Sequence, residues 1–427
     1  MRLPCTTSSM PCDPVRFVLC FCLCVRFGFD FIMKNADDAR NFPARLGIWS
    51  NKTMCCNLRN GFLTVLATLT LVSGGVFAFA KYREPPPPPP PKPLMAAHEP
   101  REIHLQNVRQ LTFGGQNAEA YFSADGKNLT FQSERDGMAC DQQYVMNTDG
   151  TGLKRISTGT GRTTCGWWTK DGKRVIFSST HGADPGCPAK PDYSKGYVWP
   201  IYPTYAIYSA KADGSDLRVL FPRDLKSGEE PGYNAESVIS PNGKQIVFCS
   251  NRGGDLDIWV IDIDGKNPRQ LTNTLGYDGG PWWSPDGKQI CFRAYHPTSE
   301  KQTNEYKELL KQHLIRPTTL DLYVMNADGS NMRQITNDAS QGIASFAPSW
   351  TRDGKALVFA SNRADEKRRQ FEVFKINLDG TGLERVTFGG QFDGFPNFSP
   401  DGRKFVWASN RNGINRETNV FIADWIP

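Results

Sequence analysis

The chain is poor in the side-chain combinations that catalysis requires. It holds five histidines, of which His181, His296 and His313 fall inside the repeats described below. It has no Gly-x-Ser-x-Gly elbow, no His-Glu-x-x-His pair and no phosphate-binding Gly-rich loop, so serine-hydrolase, zincin and nucleotide-hydrolase chemistries lack their signature residues. Cys-x-x-Cys is also absent, which argues against a cysteine-based zinc site. Neither sign of charge dominates. The net charge is +6, and residues 1–80, with eight Lys/Arg against four Asp/Glu, supply +4 of it. The +2 that remains is no nucleic-acid footprint.

Long apolar runs are scarce too. The clearest is Gly61–Ala80, twenty residues without a charge. Read from Met54, it has a basic flank at Arg59, an apolar centre and a small-x-small end at Ala78-Phe-Ala80, the pattern of a secretory signal. Twenty apolar residues also suffice to span a bilayer once, so an uncleaved anchor is the alternative. Residues 1–53 are expected to lie upstream of the biological start at Met54, and no lipobox precedes a cysteine. Pro85–Pro91 is seven consecutive prolines, followed by Lys92-Pro93. A polyproline II rod of that length is a stiff spacer of roughly 28 Å, and residues 81–107 are read as a linker.

What the chain does have is one phrase said six times. Ser123-Ala-Asp-Gly-Lys127, Thr169-Lys-Asp-Gly-Lys173, Ser240-Pro-Asn-Gly-Lys244, Ser284-Pro-Asp-Gly-Lys288, Thr351-Arg-Asp-Gly-Lys355 and Ser399-Pro-Asp-Gly-Arg403 each precede a short apolar run that ends on an aromatic. The spacing is 44 to 48 residues, stretched to 71 and 67 in the second and fourth repeats. Asp-Gly and Asn-Gly between apolar runs signal β-hairpins, with type I′ turns expected. Five repeats carry a second such turn, at Asp149-Gly150, Asp213-Gly214, Asp264-Gly265, Asp328-Gly329 and Asp379-Gly380. Four strands per repeat, with nearly continuous apolar runs, predict an all-β, six-bladed β-propeller over residues 108–427. The last repeat lacks an outer strand, and Val108–Phe113 is expected to supply it and close the ring.

Ser-Pro-Asp-Gly-Lys, Ile-x-Phe-x-Ser-x-Arg, Ile-Tyr-Val-Met-Asn-x-Asp-Gly and Arg-x-Leu-Thr together resemble the WD40-like repeat of TolB-type propellers. Similar blades occur in the non-catalytic propeller of prolyl oligopeptidases. The resemblance implies the fold firmly and a function weakly, because propellers host many unrelated activities. TolB proper has an α/β domain ahead of its propeller, whereas only Leu94–Asn107 intervenes here. Some related propellers are lyases that hold a metal through channel histidines.

The tight turns of a meander share one face, so length variation is expected on the other. That face receives Gly182–Thr204, with Tyr193, Tyr197, Trp199 and Tyr202, and Thr298–Thr319, where Tyr306, Leu309, Leu310 and Leu314 have helical spacing. Four residues after the strand-two aromatic come Arg135, His181, Arg252, His296, Arg363 and Arg411. Two readings of His181 and His296 stay open: substitutes for a structural Arg, or members of a site. At the mouths of the innermost strands, Glu119, Glu236, Asp278 and Asp393 are expected to form an acidic funnel suited to a cation, Ca²⁺ included, or to a ligand amine. Cys140, Cys165 and Cys187 lie in loops, and an exported protein would permit a disulfide, with Cys140–Cys187 favoured.

The expectation is an exported, monomeric, non-catalytic propeller at the periplasmic side of the cell envelope. It would bind a protein, peptide or glycan through its loop-rich face, without a cofactor and without nucleic acid, tethered where Gly61–Ala80 is uncleaved. The alternative is a metal-assisted hydrolase or lyase using His181, His296 and the acidic ring.

Overall fold

Each Ser/Thr-x-Asp/Asn-Gly-Lys/Arg phrase folds through its own side chains. In the first, the Ser123 hydroxyl donates to Asp125 at 2.6 Å, and the same carboxylate accepts the Lys127 amide at 3.1 Å. The Gly126 amide donates to the Ser123 carbonyl at 2.9 Å. The same set recurs at Thr169/Asp171, Ser240/Asn242, Ser284/Asp286, Thr351/Asp353 and Ser399/Asp401. The hydroxyl donated by Ser123 holds the Asp125 carboxyl below its ordinary range. Only the glycine is left-handed, with φ of 70° at Gly126 and 72° at Gly287. A type I′ turn would need the Asp left-handed as well. The turn is instead of type I with glycine in the fourth position, because the Ser–Asp pair satisfies the turn without straining the Asp.

The structure is a computed structural model that describes residues 93–427 apart from 97, 98, 195, 390, 391 and 413–416. The expectations placed on Met54, Gly61–Ala80 and Pro85–Pro91 lie outside these residues. Among the described residues, no helix is long and apolar enough to cross a membrane.

The turns join strands into six antiparallel sheets, the blades of a propeller. Blade one is Gln116–Phe122, Asn128–Glu134, Gln142–Asn147 and Lys154–Arg155; blade two is Thr163–Trp168, Arg174–Ser179, Ala206–Lys211 and Arg218–Phe221. Blade three is Asn234–Ile239, Gln245–Ser250, Asp257–Asp262 and Arg269–Gln270; blade four is Tyr277–Trp283, Gln289–Tyr295, Asp321–Asn326 and Arg333–Gln334. Blade five is Ser345–Trp350, Ala356–Ser361, Glu372–Asn377 and Glu384–Arg385. Blade six is Asp393–Phe398, Lys404–Ser409 and Asn419–Trp425, and the N-terminal strand Leu105–Gln110 completes it, pairing Leu105 with Trp425 and Gln110 with Phe421. This strand sits a little earlier than expected, and Leu94–Met95 adds a fifth strand outside it.

The strand-two aromatics Phe131, Phe177, Phe248, Phe292, Phe359 and Trp407 are fully buried. They pack across the seams between blades. Blade six closes on blade one through Val406, Val420 and Ile422 against Leu129, Phe131 and Tyr144. Burying each such ring contributes on the order of 2–3 kcal/mol. Cys140 and Cys187 are joined, with Cα atoms 5.9 Å apart, while Cys165 is a free, buried thiol.

The two turns of a blade are packed differently. A Cβ on Gly287, in a first turn, would meet only Pro241 of the neighbouring turn, at 3.7 Å, whereas one on Gly265, in a second turn, would stand 2.0 Å from the Leu220 carbonyl of the preceding blade. Gly287→Ala should therefore cost only the left-handed penalty, about 1–2 kcal/mol, and Gly265→Ala distinctly more. Urea denaturation of both variants checks this, and equal costs would show that the second turn does not brace the adjoining blade.

Candidate functional site

The innermost strand of every blade carries a bulge at the same place. Register against the second strand shifts after Ala118, Thr164, Ala235, Gly279, Phe346 and Gly394. The next residue is left-handed each time: Glu119 (φ 56°), Cys165 (54°), Glu236 (63°), Gly280 (59°), Ala347 (51°) and Phe395 (55°). A bulge re-aims its side chain. These six residues line a single cavity of about 340 Å³ on the loop-rich side of the channel.

This bulge corrects the expected acidic funnel. In a regular strand, residues two apart share a face, which would place Asp278 and Asp393 beside Glu119 and Glu236. The bulge breaks that alternation, and Asp278 and Asp393 are fully buried. Asp278 bonds His296 Nε2 at 2.9 Å, and its desolvation raises its pKa. Asp393 accepts from Arg411 at 3.1 Å and from Trp407 Nε1 at 3.2 Å. Glu119 and Glu236 alone of the four line the cavity.

His181 and His296 also stay apart. Each sits over the third-strand aromatic of its own blade, His181 with its ring 4.3 Å from Tyr208 and His296 5.2 Å from Tyr323. His181 Nδ1 pairs with Ser179 at 2.7 Å. Their counterparts do the same with a guanidinium, Arg363 over Phe374 and Arg411 over Phe421. The two histidines thus occupy the place of a packing Arg, and neither lines the cavity.

The two stretched repeats meet each other. Trp199–Pro200, from the insertion in blade two, pairs antiparallel with Leu314–Ile315, from the insertion in blade four, and the Ile201 amide donates to the His313 carbonyl at 2.7 Å. The predicted helix forms at Glu300–Lys311, started by a capping box between Ser299 and Gln302. The hydroxyl of its buried Tyr306 lies within hydrogen-bond distance of the Gly276 carbonyl, at 2.7 Å, and of the Asp255 carboxylate, and its one proton is shared between them. This ribbon brings Tyr197, Trp199 and Tyr202 to the cavity wall. Trp199 lies edge-on to Phe346 and Tyr277, at 6.2 and 6.5 Å. Tyr197 accepts from Trp199 Nε1 at 3.0 Å, and Tyr202 donates to the Ala189 carbonyl at 2.9 Å. Below, Tyr121, Trp167 and Trp282 pack ring to ring at 4.7 to 5.4 Å and separate this cavity from a second one of about 390 Å³ on the Asp-Gly face.

Sequence reasoning missed the cavity's central cation. Arg293 is buried, pairs with Glu236 and bonds the Tyr277 hydroxyl at 3.0 Å. Its guanidinium lies 5.2 Å from the Trp199 ring centroid. Desolvation works against its charge, but Glu236 and Tyr277 more than offset that and raise its pKa. Gly280 makes the room, since a Cβ there would lie 2.1 Å from Arg293. The signal was present: the residue after the strand-two aromatic is Gln132, Ser178, Cys249, Ala360 or Ala408 in the other repeats and Arg only in the fourth. Arg162 also lines the cavity and pairs with Asp141 at 2.5 Å. Glu119 accepts from the Tyr121 hydroxyl at 3.4 Å and from the Cys165 thiol, beside the Glu236–Arg293 pair, and desolvation pushes its pKa up to about 7. Burial likewise pushes the Cys165 thiol far above its ordinary range, so it is no thiolate nucleophile.

A sequence profile of the TolB beta propeller domain matches residues 217–302 and 308–424. The chain carries a TolB-like β-propeller. An uncharacterized protein of Agrobacterium fabrum is 29% identical over 268 residues, which cover 56% of this chain and 82% of that one. A TolB homolog of Chlorobium luteolum is 32% identical over 183 residues, 43% of this chain and 34% of the homolog. This chain therefore spans about a third of that homolog's length. Dipeptidyl-peptidase 5 of Porphyromonas gingivalis is 28% identical, over 52% of this chain and 36% of the peptidase. Among solved structures, a putative TolB from Agrobacterium tumefaciens is 21% identical with a TM-score of 0.45, covering 73% of this chain and 91% of that one.

Two outcomes test the site of this TolB-like propeller. Arg293→Met leaves the Glu236 carboxylate buried without its cation, held only by the Gly280 amide at 2.6 Å and the Tyr277 hydroxyl at 3.3 Å, and should cost roughly 3–5 kcal/mol, while adding Glu236→Gln should restore most of it. Equal loss in the single and double variants, by denaturant titration, would show that the ion pair is not the cause. Glu119 with a raised pKa holds its proton in the folded state. It therefore favours folding below about 4.5, and that contribution is lost as the pH climbs through about 7. Melting temperatures from pH 4 to 9 should show the wild type losing ground to Glu119→Gln over that window, whereas parallel curves would place Glu119 in bulk solvent.

Proposed function

We propose that this TolB-like propeller is a non-catalytic binding module of the cell envelope, which receives a ligand segment in the aromatic cavity beneath its cross-insertion ribbon. The observation that carries the reading is the pairing of the two insertions with each other. The chain departs from its repeat in two places, and both departures converge on the mouth of one cavity. Tyr and Trp concentrate binding energy when they wall a concave site. The envelope address rests on the apolar run Gly61–Ala80 and on similarity to proteins named TolB homolog and Tol-Pal system protein TolB. A protein or peptide ligand suits the walls better than a glycan. The Glu236, Arg293 and Arg162 charges of the lining are already paired, so fewer of its charged groups are open to sugar hydroxyls.

Placement weighs against the hydrolase or lyase alternative. His181 and His296 serve separate blades, Asp278 and Asp393 are withdrawn into them, and the described residues bring no three metal-ligating side chains together.

The test compares affinity capture from native envelope extracts by the wild type, Trp199→Ala and Lys170→Glu, which alters the Asp-Gly face. The expected outcome is a specific partner lost from the first variant and retained by the second. The reverse pattern would move the binding surface to the opposite face.

A further inference from the structure

Four charged side chains line the upper cavity: Glu119, Arg162, Glu236 and Arg293. Three of them are neutralised by partners, Glu236 with Arg293 and Arg162 with Asp141. Glu119 forms no ion pair among the described residues, and Arg293, whose charge acts on it, is already paired with Glu236. It projects from a left-handed bulge toward the cavity, and its flanks are Tyr121, Cys165 and the engaged Glu236–Arg293 pair, with Asp141 farther out. Tyr205, Tyr233 and Trp199 line the same space. An ionised carboxylate held away from water is costly unless a cation reaches it. Aromatic faces add attraction for such a cation.

Resting on the binding reading above, we propose that the cavity admits the ammonium group of a peptide, either an α-amino terminus or a lysine side chain, with Glu119 as counter-ion and the aromatic rings as its cage. An ammonium followed by an apolar side chain asks for one carboxylate and apolar walls, and the cavity provides both. Its raised pKa adds a pH signature. Below about 7, Glu119 keeps its proton and is no counter-ion, so affinity rises as the pH passes that value. For an α-amine, affinity falls again as the ligand loses its own proton near 8.

Tryptophan fluorescence of the full chain can follow titration with three amidated probes: Ala-Phe-Leu-Ala, its Nα-acetyl form, and acetyl-Ala-Phe-Lys-Ala. At least one charged probe should bind about tenfold more tightly than the acetylated neutral one, and the preference should vanish in Glu119→Gln. Preference for the first probe identifies an α-terminus, and preference for the third identifies lysine. Because acetylation is made on the ligand, this comparison does not depend on any variant folding. Equal affinities for charged and neutral probes, a preference that survives Glu119→Gln, or no binding of any probe at millimolar concentration overturns the ammonium inference. If the probes bind equally and Trp199→Ala weakens all of them, the cavity remains the binding site and only the counter-ion role falls. Probe binding untouched by Trp199→Ala overturns both readings.

Discussion

A left-handed residue in the innermost strand of each blade is the constraint on which the site depends. Glu119, Cys165, Glu236, Ala347 and Phe395 adopt it without the freedom of glycine, at a cost on the order of 1 kcal/mol or more each. The flanking ladder holds them there, with regular pairing on both sides of the shift, as between Asn234 and Ser250 and again between Val238 and Val247. The return is a change of direction. Asn117 and Asn234 turn into the blade and bond Ser133 and Ser250, while the bulged residues turn into the channel. Without the bulge, the carboxylates of neighbouring positions would crowd one mouth and repel one another.

Six equivalent positions on such a ring need not be filled alike, and the differences between them make the site. Blade four replaces the bulge side chain by Gly280 and places Arg293 in the vacated space. The same blade has Ala294 where Ser133, Ser250 and Ser361 stand elsewhere. Asp278 therefore loses the usual serine partner and takes His296 instead. The glycine thus makes room for the buried ion pair, and the missing serine leaves Asp278 to His296, while the withdrawal of Asp278 from the channel follows from the bulge that all six blades share. Blades two and four then extend over the cavity, and the capped helix with Tyr306 fastens that extension to blade three through Asp255.

The fold was legible because its determinants are local. Turn glycines, Ser–Asp pairs and strand-two aromatics recur at fixed offsets, and ring closure followed from a missing outer strand. The site was less legible because its determinants are not local. Period-two alternation assigns Asp278 and Gly280 to one face, and nothing in the sequence announces the bulge that separates them. The insertions were visible as lengthened spacing, with helical periodicity at Tyr306, Leu309, Leu310 and Leu314, of which Leu314 lies past the helix, in the ribbon strand. Their pairing across an intervening blade was not, because it joins Pro200 to Leu314 through three dimensions. Arg293 is the charged exception at its repeat position, yet sequence reasoning passed over it, because a charge within an apolar strand becomes interpretable only once Glu236 is seen beside it.

The balance of charge in the cavity follows from the same geometry. Arg293 is committed to Glu236 and Tyr277, and Arg162 to Asp141. Neither is free to swing toward Glu119 without stranding a buried carboxylate, which would cost several kcal/mol. The ion pairs act as fixed walls, and Glu119 is the one acid of the lining whose ionisation still responds to what enters. Such a group is expensive for stability and useful for recognition, because the desolvation that raises its pKa also strengthens any charge-assisted hydrogen bond it makes. The asymmetry that the repeats lack as a set is concentrated in this carboxylate and in the aromatic ribbon above it.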